Sequence, residues 1–183
     1  RIDTTAMMSA YQLVNELPES ELADIIYQYG EERQSRRIAK AIVSVRSEKK
    51  ISTTANLVDI IHTAIGNGGK IDSATKTFQA LRIAVNDELH ALETVIPKAA
   101  EHLKPGGRLI IISFHSLEDR IVKDAFRALT TAEKDPITGH DVSIPLFHLV
   151  TKKPIMASPE ELDTNPRARS AKLRAVEKQK LTQ

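Results

Sequence analysis

The sequence predicts an α/β protein in two parts, a helical first part and a second part built around one buried strand. Three observations carry this. Apolar residues recur at helical spacing through residues 19–65, a continuous β-branched run (Arg108-Leu-Ile-Ile-Ile-Ser-Phe114) follows a Lys104-Pro-Gly-Gly107 turn, and an amphipathic helical pattern follows the run at once.

In the first part, Leu22, Ile25 and Ile26, then Ile38, Ile42 and Val45, mark two helices. Ser52 is a candidate N-cap ahead of the stripe Leu57, Ile60, Ile61 and Ile65, and Gly66-Asn67-Gly68-Gly69 stops that helix. From Thr75, the residues Phe78, Leu81, Ile83, Val85, Leu89, Leu92, Val95 and Ile96 predict one long helix running to Leu103, broken or kinked near Pro97. The run at 108–114 then reads as a central parallel strand buried on both faces. Leu117, Ile121, Val122, Ala125, Phe126 and Leu129 form one side of the next helix. A polar loop (133–141) leads to a strand at Leu146–Thr151, and the alternation in Ser170–Val176 predicts a closing strand.

Composition narrows the function. The chain has 183 residues, 41% of them hydrophobic, which is enough for a real core. It has no cysteine, which excludes disulfides, thiolate catalysis and cysteine-based zinc sites. The six histidines show no metal-like spacing, so no metal is expected. The net charge is only +2, so any grip on nucleic acid must come from local patches. No apolar run reaches the roughly 18 residues of a membrane span, and residues 1–20 lack the pattern of a signal peptide. Arg1 is not a methionine, which points to a fragment or processed chain.

In an open parallel sheet, ligands bind beyond the carboxyl ends of the strands, so Ser113, Phe114, His115 and Ser116 are the first candidate site. A ring to stack on a base, an imidazole and two hydroxyls suit a nucleobase pocket. An equally weighted alternative is that Ser116 merely caps the next helix, with Leu117-Glu118-Asp119 as its acidic first turn. Glu118, Asp119 and Arg120 suit an ion-pair network that orients the loop, and Lys123 extends a basic face. Arg167, Arg169, Lys172 and Arg174 put four cations in ten residues, a pattern for phosphate contact. From charge alone, the stronger reading of that tail is a solvated loop and edge strand in which the cations discourage edge pairing. Arg33, Arg36, Arg37 and Lys40 form a second basic face, diluted by Glu31 and Glu32.

The string Ser113-Phe-His-Ser-Leu-Glu-Asp-Arg-Ile-Val-Lys123, preceded by Leu-Lys-Pro-Gly-Gly-Arg-Leu-Ile-Ile-Ile, resembles the MraW-type ribosomal RNA small-subunit methyltransferase H family. Those enzymes methylate the exocyclic N4 of a decoding-centre cytosine in 16S ribosomal RNA. Three more blocks agree in order: Tyr29–Val43 (YGEER and RRIAKAIV), Thr77–Leu89 (TFQALRIAVNDEL) and Asn165–Arg174 (NPRARSAKLR).

The resemblance implies the second half of a Rossmann-like class I methyltransferase sheet. Residues 1–18 would end the N-terminal methyltransferase segment, 19–74 would be an inserted all-helical subdomain that grips RNA, and 75–183 would be the C-terminal part. Arg1-Ile2-Asp3 resembles the end of a motif just after the fourth strand. The implied cofactor is S-adenosylmethionine, but the first strand, the glycine-containing loop and the acidic ribose ligand would all precede Arg1, so no cofactor-binding residue is named here. That leaves activity of this chain alone open.

The implied partner is small-subunit ribosomal RNA or the small ribosomal subunit, with no membrane and with a partner chain or second copy covering an open sheet edge. The implied compartment is the bacterial cytoplasm, or alternatively the matrix of a mitochondrion or another organelle. Asp72-Ser73 replaces a usual His-Pro pair, Lys76 stands where arginine is expected, and a cysteine-containing stretch of many relatives is absent. The rival readings are a non-catalytic RNA-binding or ribosome-assembly factor that has lost the cofactor half, and a small-molecule methyltransferase.

Overall fold

The computed structural model describes residues 8–67, 69 and 72–180, so the motif end expected at Arg1-Ile2-Asp3 lies outside the described residues. The chain divides into two compact units, Arg1–Glu88 and Leu89–Gln183, which are described separately. It is an α/β protein whose strands form a small antiparallel sheet.

The first unit holds α1 (Ala10–Glu16), α2 (Glu19–Gly30), α3 (Ser35–Glu48), α4 (Thr54–Ile65) and α5 (Thr75–Asn86). The stripes read from sequence become its core: Leu22, Ile26, Ile38, Ile42 and Ile61 are fully buried and pack with Leu13, Val14, Leu57 and Leu81. Removing this much apolar surface from water is the main force holding five short helices together. Where α2 meets α5, a Cβ on Gly30 would lie 2.6 Å from the Lys76 carbonyl oxygen, so only glycine allows this approach.

Polar side chains close the joints of this unit. Buried Asn15 donates to the Ile51 carbonyl and accepts from the Ile51 N–H, both at 2.9 Å. Arg46 reaches back from α3 to donate to the Val14 and Leu17 carbonyls at the end of α1.

Two expectations shift here. The α4 cap is Thr53, not Ser52; its hydroxyl accepts from the Asn56 N–H at 3.2 Å. The long helix from Thr75 is interrupted ten residues before Pro97, because Asp87 adopts a left-handed conformation (φ 50°) that ends α5. Aspartate tolerates this conformation better than most residues. Glu88 reinforces the joint by accepting three bonds from Arg82 and one from Asn86. The helix α6 (Glu88–Glu101) runs through Pro97.

The second unit contains the rest of α6, β1 (Arg108–Ser113), α7 (Ser116–Thr130), β2 (Phe147–Leu149), β3 (Ile155–Met156), α8 (Pro159–Thr164), a 3-10 turn (Pro166–Ser170) and β4 (Lys172–Lys178). The strand order is β1-β4-β2, with β3 also on β4, and every pairing is antiparallel. Its core gathers Ile96 and Ala100 of α6, Val122 and Phe126 of α7, Phe147 of β2 and Val176 of β4, with Leu109 and Ile111 packed against them. Gly106 (φ 80°) makes the turn before β1, and its N–H donates to the Lys178 carbonyl at 2.7 Å.

The expected central parallel strand is corrected. Among the described residues β1 pairs with β4 alone, antiparallel, from Arg108 opposite Glu177 to Ser113 opposite Lys172. Among the described residues it is an edge, and one of its faces is the more exposed: Ile110 and Ile112 are 55% and 53% exposed. An unbroken apolar run shows that both faces can be buried; it does not show that a cover is present. The closing strand expected at 170–176 is β4, which is central because it pairs with all three other strands. The edge-strand half of the reading of the cationic tail is therefore overturned, while Arg167 and Arg169 lie exposed on the 3-10 turn before β4.

Candidate target-base loop and its ion-pair anchor

The loop between β1 and α7 is built by local chemistry. Ser113, only 2% exposed, ends β1, and its hydroxyl donates to the Lys172 carbonyl at 3.3 Å. Phe114 follows with its side chain displayed, 55% exposed. His115 is extended (φ −142°, ψ 168°) and is the N-cap of α7, its Nδ1 accepting from the Glu118 N–H at 3.3 Å. Glu118 reciprocates: its Oε2 accepts from the backbone N–H groups of Phe114 (2.7 Å) and His115 (3.2 Å), and its Oε1 lies 3.4 Å from His115 Nε2.

This is a capping box with histidine in the place usually held by serine or threonine. The alternative reading of Ser116 as the cap is corrected by one residue, since Ser116 is the first residue of α7 and is exposed. Both His115–Glu118 and Ser116–Asp119 have capping-box spacing, so spacing alone cannot choose between them.

A second tie anchors the loop from behind. Asp119 accepts from Arg174 Nε at 2.7 Å and Nη2 at 3.3 Å, and from Lys172 Nζ at 3.2 Å. The Asp119 and Arg174 side chains are 13% and 12% exposed, so the pair is largely shielded from water. The hydrogen bond from Arg174, aided by Lys172, holds the Asp119 carboxyl below its ordinary pKa against the opposing effect of burial. The N-terminus of α7 is thus bolted to β4 through partners of Asp119 that lie more than fifty residues away. Nothing local in the sequence marked those partners.

The basic residues divide by place. Lys172 and Arg174 turn to Asp119, whereas Arg167 and Arg169 are exposed on the 3-10 turn with no ion pair among the described residues. Arg120 is exposed near the start of α7, and Lys123 lies 3.4 Å from Asp124. In the first unit Arg33, Arg36, Arg37 and Lys40 are all exposed and form no ion pair among the described residues. Glu32, expected to dilute that face, is 9% exposed; it accepts from the Gln34 N–H at 2.8 Å and lies 3.8 Å from Lys76 Nζ. The structure therefore brings Ser113–Ser116 together with Asp119, Lys172 and Arg174 in one unit and sets the Arg33 patch on the other.

The family model described as the MraW methylase family matches residues 1–179. Curated relatives named ribosomal RNA small subunit methyltransferase H are similar over 97% of this chain: 51% identical in Geobacter sp. (strain M21), 50% in Geotalea uraniireducens (strain Rf4) and 51% in Wolbachia pipientis subsp. Culex pipiens (strain wPip). The chain spans 59%, 59% and 58% of the lengths of these relatives. A match over nearly the whole chain, passing through the loop, its capping box and both partners of Asp119, identifies this protein as a member of the MraW methylase family.

Proposed function

We propose that this chain supplies the target-base loop and the RNA-gripping surfaces of an enzyme that transfers a methyl group from S-adenosylmethionine to the exocyclic N4 of a cytosine in small-subunit ribosomal RNA. The observation that carries the reading is the display of Phe114 at the carboxyl end of β1, on a loop whose backbone N–H groups are held by Glu118 and whose helix is tied down through Asp119. An exposed ring on a rigid loop suits stacking against an extruded base. The names of the relatives support the RNA substrate.

The described residues do not fit the methyl donor. Neither strand-to-helix junction, β1 to α7 or β3 to α8, contains a glycine, and the Gly106-Gly107 turn precedes a strand and packs against Lys180 and Lys104 of its own chain. In this reading the donor is held chiefly by the part of the relatives that this chain does not span. When bound, it supplies an electrophilic methyl carbon. The work of this chain is to position the base: Phe114 stacks, His115 and Glu118 fix the loop, and Ser113 and Ser116 border the pocket. Positioning of this kind supplies a large share of the rate in group transfer.

Residues 19–74 are read as a helical insertion within the methyltransferase; α5 shares their compact unit. The open β1 edge and the uncovered Ile110 and Ile112 fit a sheet continued and covered by another segment or chain, as the second half of a doubly wound fold requires. Arg33, Arg36, Arg37, Arg120, Lys123, Arg167 and Arg169 are assigned to RNA phosphates directly, and Lys172 and Arg174 through their place beside Asp119. No helix among the described residues is long and apolar enough to cross a membrane, and the bacterial relatives favour a cytoplasmic site of action.

The experiment supplies unmethylated small subunits and labelled S-adenosylmethionine to this chain together with the N-terminal part of the Geobacter relative, then digests the RNA and identifies the labelled base. N4-methylcytidine supports the reading; label on another base or on protein, or none, overturns it.

A further inference from the structure

The second unit has a cleft of about 390 Å³ between the C-terminal half of α7 and the strands β2 and β4, and every charged group lining it is cationic. Lys123, Arg127, Lys152 and Arg174 line it, and no carboxylate does. Lys123 and Arg127 stand one helical turn apart on α7, so they project from the same face. Lys152 follows a segment stitched to β4: the Val150 and Thr151 N–H groups donate to the Ala175 carbonyl, and the Thr151 hydroxyl accepts from the Ala175 N–H at 2.9 Å. Arg174 is preset by its two bonds to Asp119.

Two of these charges are offset nearby, Lys123 by Asp124 at 3.4 Å and Arg174 by Asp119, whereas Arg127 and Lys152 have no ion pair among the described residues. The carbonyls at the end of a helix carry partial negative charge that would oppose an anion. Here the Thr130 and Thr131 hydroxyls donate to the Phe126 and Arg127 carbonyls at 2.8 and 2.7 Å. Leu149, 41% exposed, adds an apolar wall suited to a sugar. The volume lies within the range of ligand pockets, about 300–1,000 Å³.

We infer that this cleft holds a phosphodiester of the RNA backbone, with Arg127 and Lys152 supplying the uncompensated charge. The inference rests on the RNA reading above and adds a specific subsite to it. Neither residue stands out in the sequence as a phosphate ligand, because each is an isolated surface cation until β4 and α7 pack.

The test measures binding of an unstructured 12-nucleotide oligoribonucleotide and of inorganic phosphate to the 183-residue chain and to its Arg127→Gln/Lys152→Gln variant, across a range of salt. Circular dichroism checks the fold, and the charge-keeping Arg127→Lys/Lys152→Arg variant serves as the rescue control. The inference predicts roughly tenfold weaker oligonucleotide binding in the glutamine variant. It also predicts a fall of about 1.4 in the slope of log affinity against log salt, about 0.7 per lost contact on a single strand. The charge-keeping variant should bind like the parent chain.

Unchanged affinity and slope in the glutamine variant would overturn the cleft even if methylation of ribosomal RNA is found. Phosphate binding that depends on both residues, without oligonucleotide binding, would overturn RNA as the source. Loss of oligonucleotide binding in the variant, with no methylated cytosine in the experiment above, would sustain the cleft and reject the enzymatic reading.

Discussion

Replacing Asp119 with asparagine isolates the tie between α7 and β4. The change keeps the side-chain shape but removes the charge that Arg174 and Lys172 share. Lys172 is 34% exposed, so water and salt screen most of its contribution. Arg174 is 12% exposed and its bond to Asp119 is short, 2.7 Å, which places it in the range for charge-assisted hydrogen bonds, about 1.5–3 kcal/mol. A loss of about 2 kcal/mol follows, or about thirtyfold in the opening equilibrium of the second unit.

Hydrogen exchange at the β4 amides Leu173–Val176 reads this directly. All three tyrosines, Tyr11, Tyr27 and Tyr29, lie in the first unit, so tyrosine fluorescence is an internal control that should not move. The effect has a pH signature. The folded-state pKa of Asp119 is lowered, so its contribution is complete above the unfolded value of about 3.9 and is lost as pH falls through the lowered folded value. The gap between parent and variant should therefore close below about pH 4. Equal β4 protection in the two proteins at pH 7 would refute the anchoring role.

Other outcomes follow from the same geometry. Gly30→Ala should destabilise the first unit by about 1–3 kcal/mol through overpacking against the Lys76 carbonyl, lowering the tyrosine-reported unfolding midpoint. At position 115, alanine loses both cap and imidazole and should cost about 1 kcal/mol in the stability of α7. Asparagine retains a capping oxygen, so near-parental thermal stability with lost methyl transfer would assign the imidazole to positioning the base, and parental methyl transfer would reduce His115 to a cap. Phe114→Ala should leave the melting temperature within a degree or two, because the ring is exposed, while raising the KM for RNA.

Much of this architecture is readable from the residues because periodicity reports directly on burial. The stripes of α2, α3 and α4 and the face of α7 are helix cores as read except for Val45, which is 41% exposed, and the run from Arg108 is a strand as far as Ser113. What periodicity cannot supply is the identity of neighbours. β1 reads as central because Ile110 and Ile112 are apolar, yet the described residues leave more than half of each exposed.

Short-range ambiguities account for the one-residue shifts at the caps: Ser52 beside Thr53 and His115 beside Ser116 each offer two polar candidates, and the winner is set by which backbone N–H it faces. The helix break falls at Asp87, whose left-handed conformation ends α5, while α6 runs through the more conspicuous Pro97. The candidate loop was found by its position after a strand. Its anchor, Asp119 with Arg174 and Lys172, is half visible in the sequence: the acid suits a local network, and the cations suit phosphate. Only the fold shows that they meet.

We propose that this chain belongs to an enzyme acting on cytosine N4 through the loop Ser113–Ser116. The most direct measurement is the yield of N4-methylcytidine in small-subunit RNA from S-adenosylmethionine, with the N-terminal part of the Geobacter relative present, for the parent chain and for Phe114→Ala. Methylated cytosine is expected with the parent chain, and at least a tenfold loss in kcat/KM with the variant. Methylation that proceeds equally well without Phe114, or that never appears on cytosine, would contradict it.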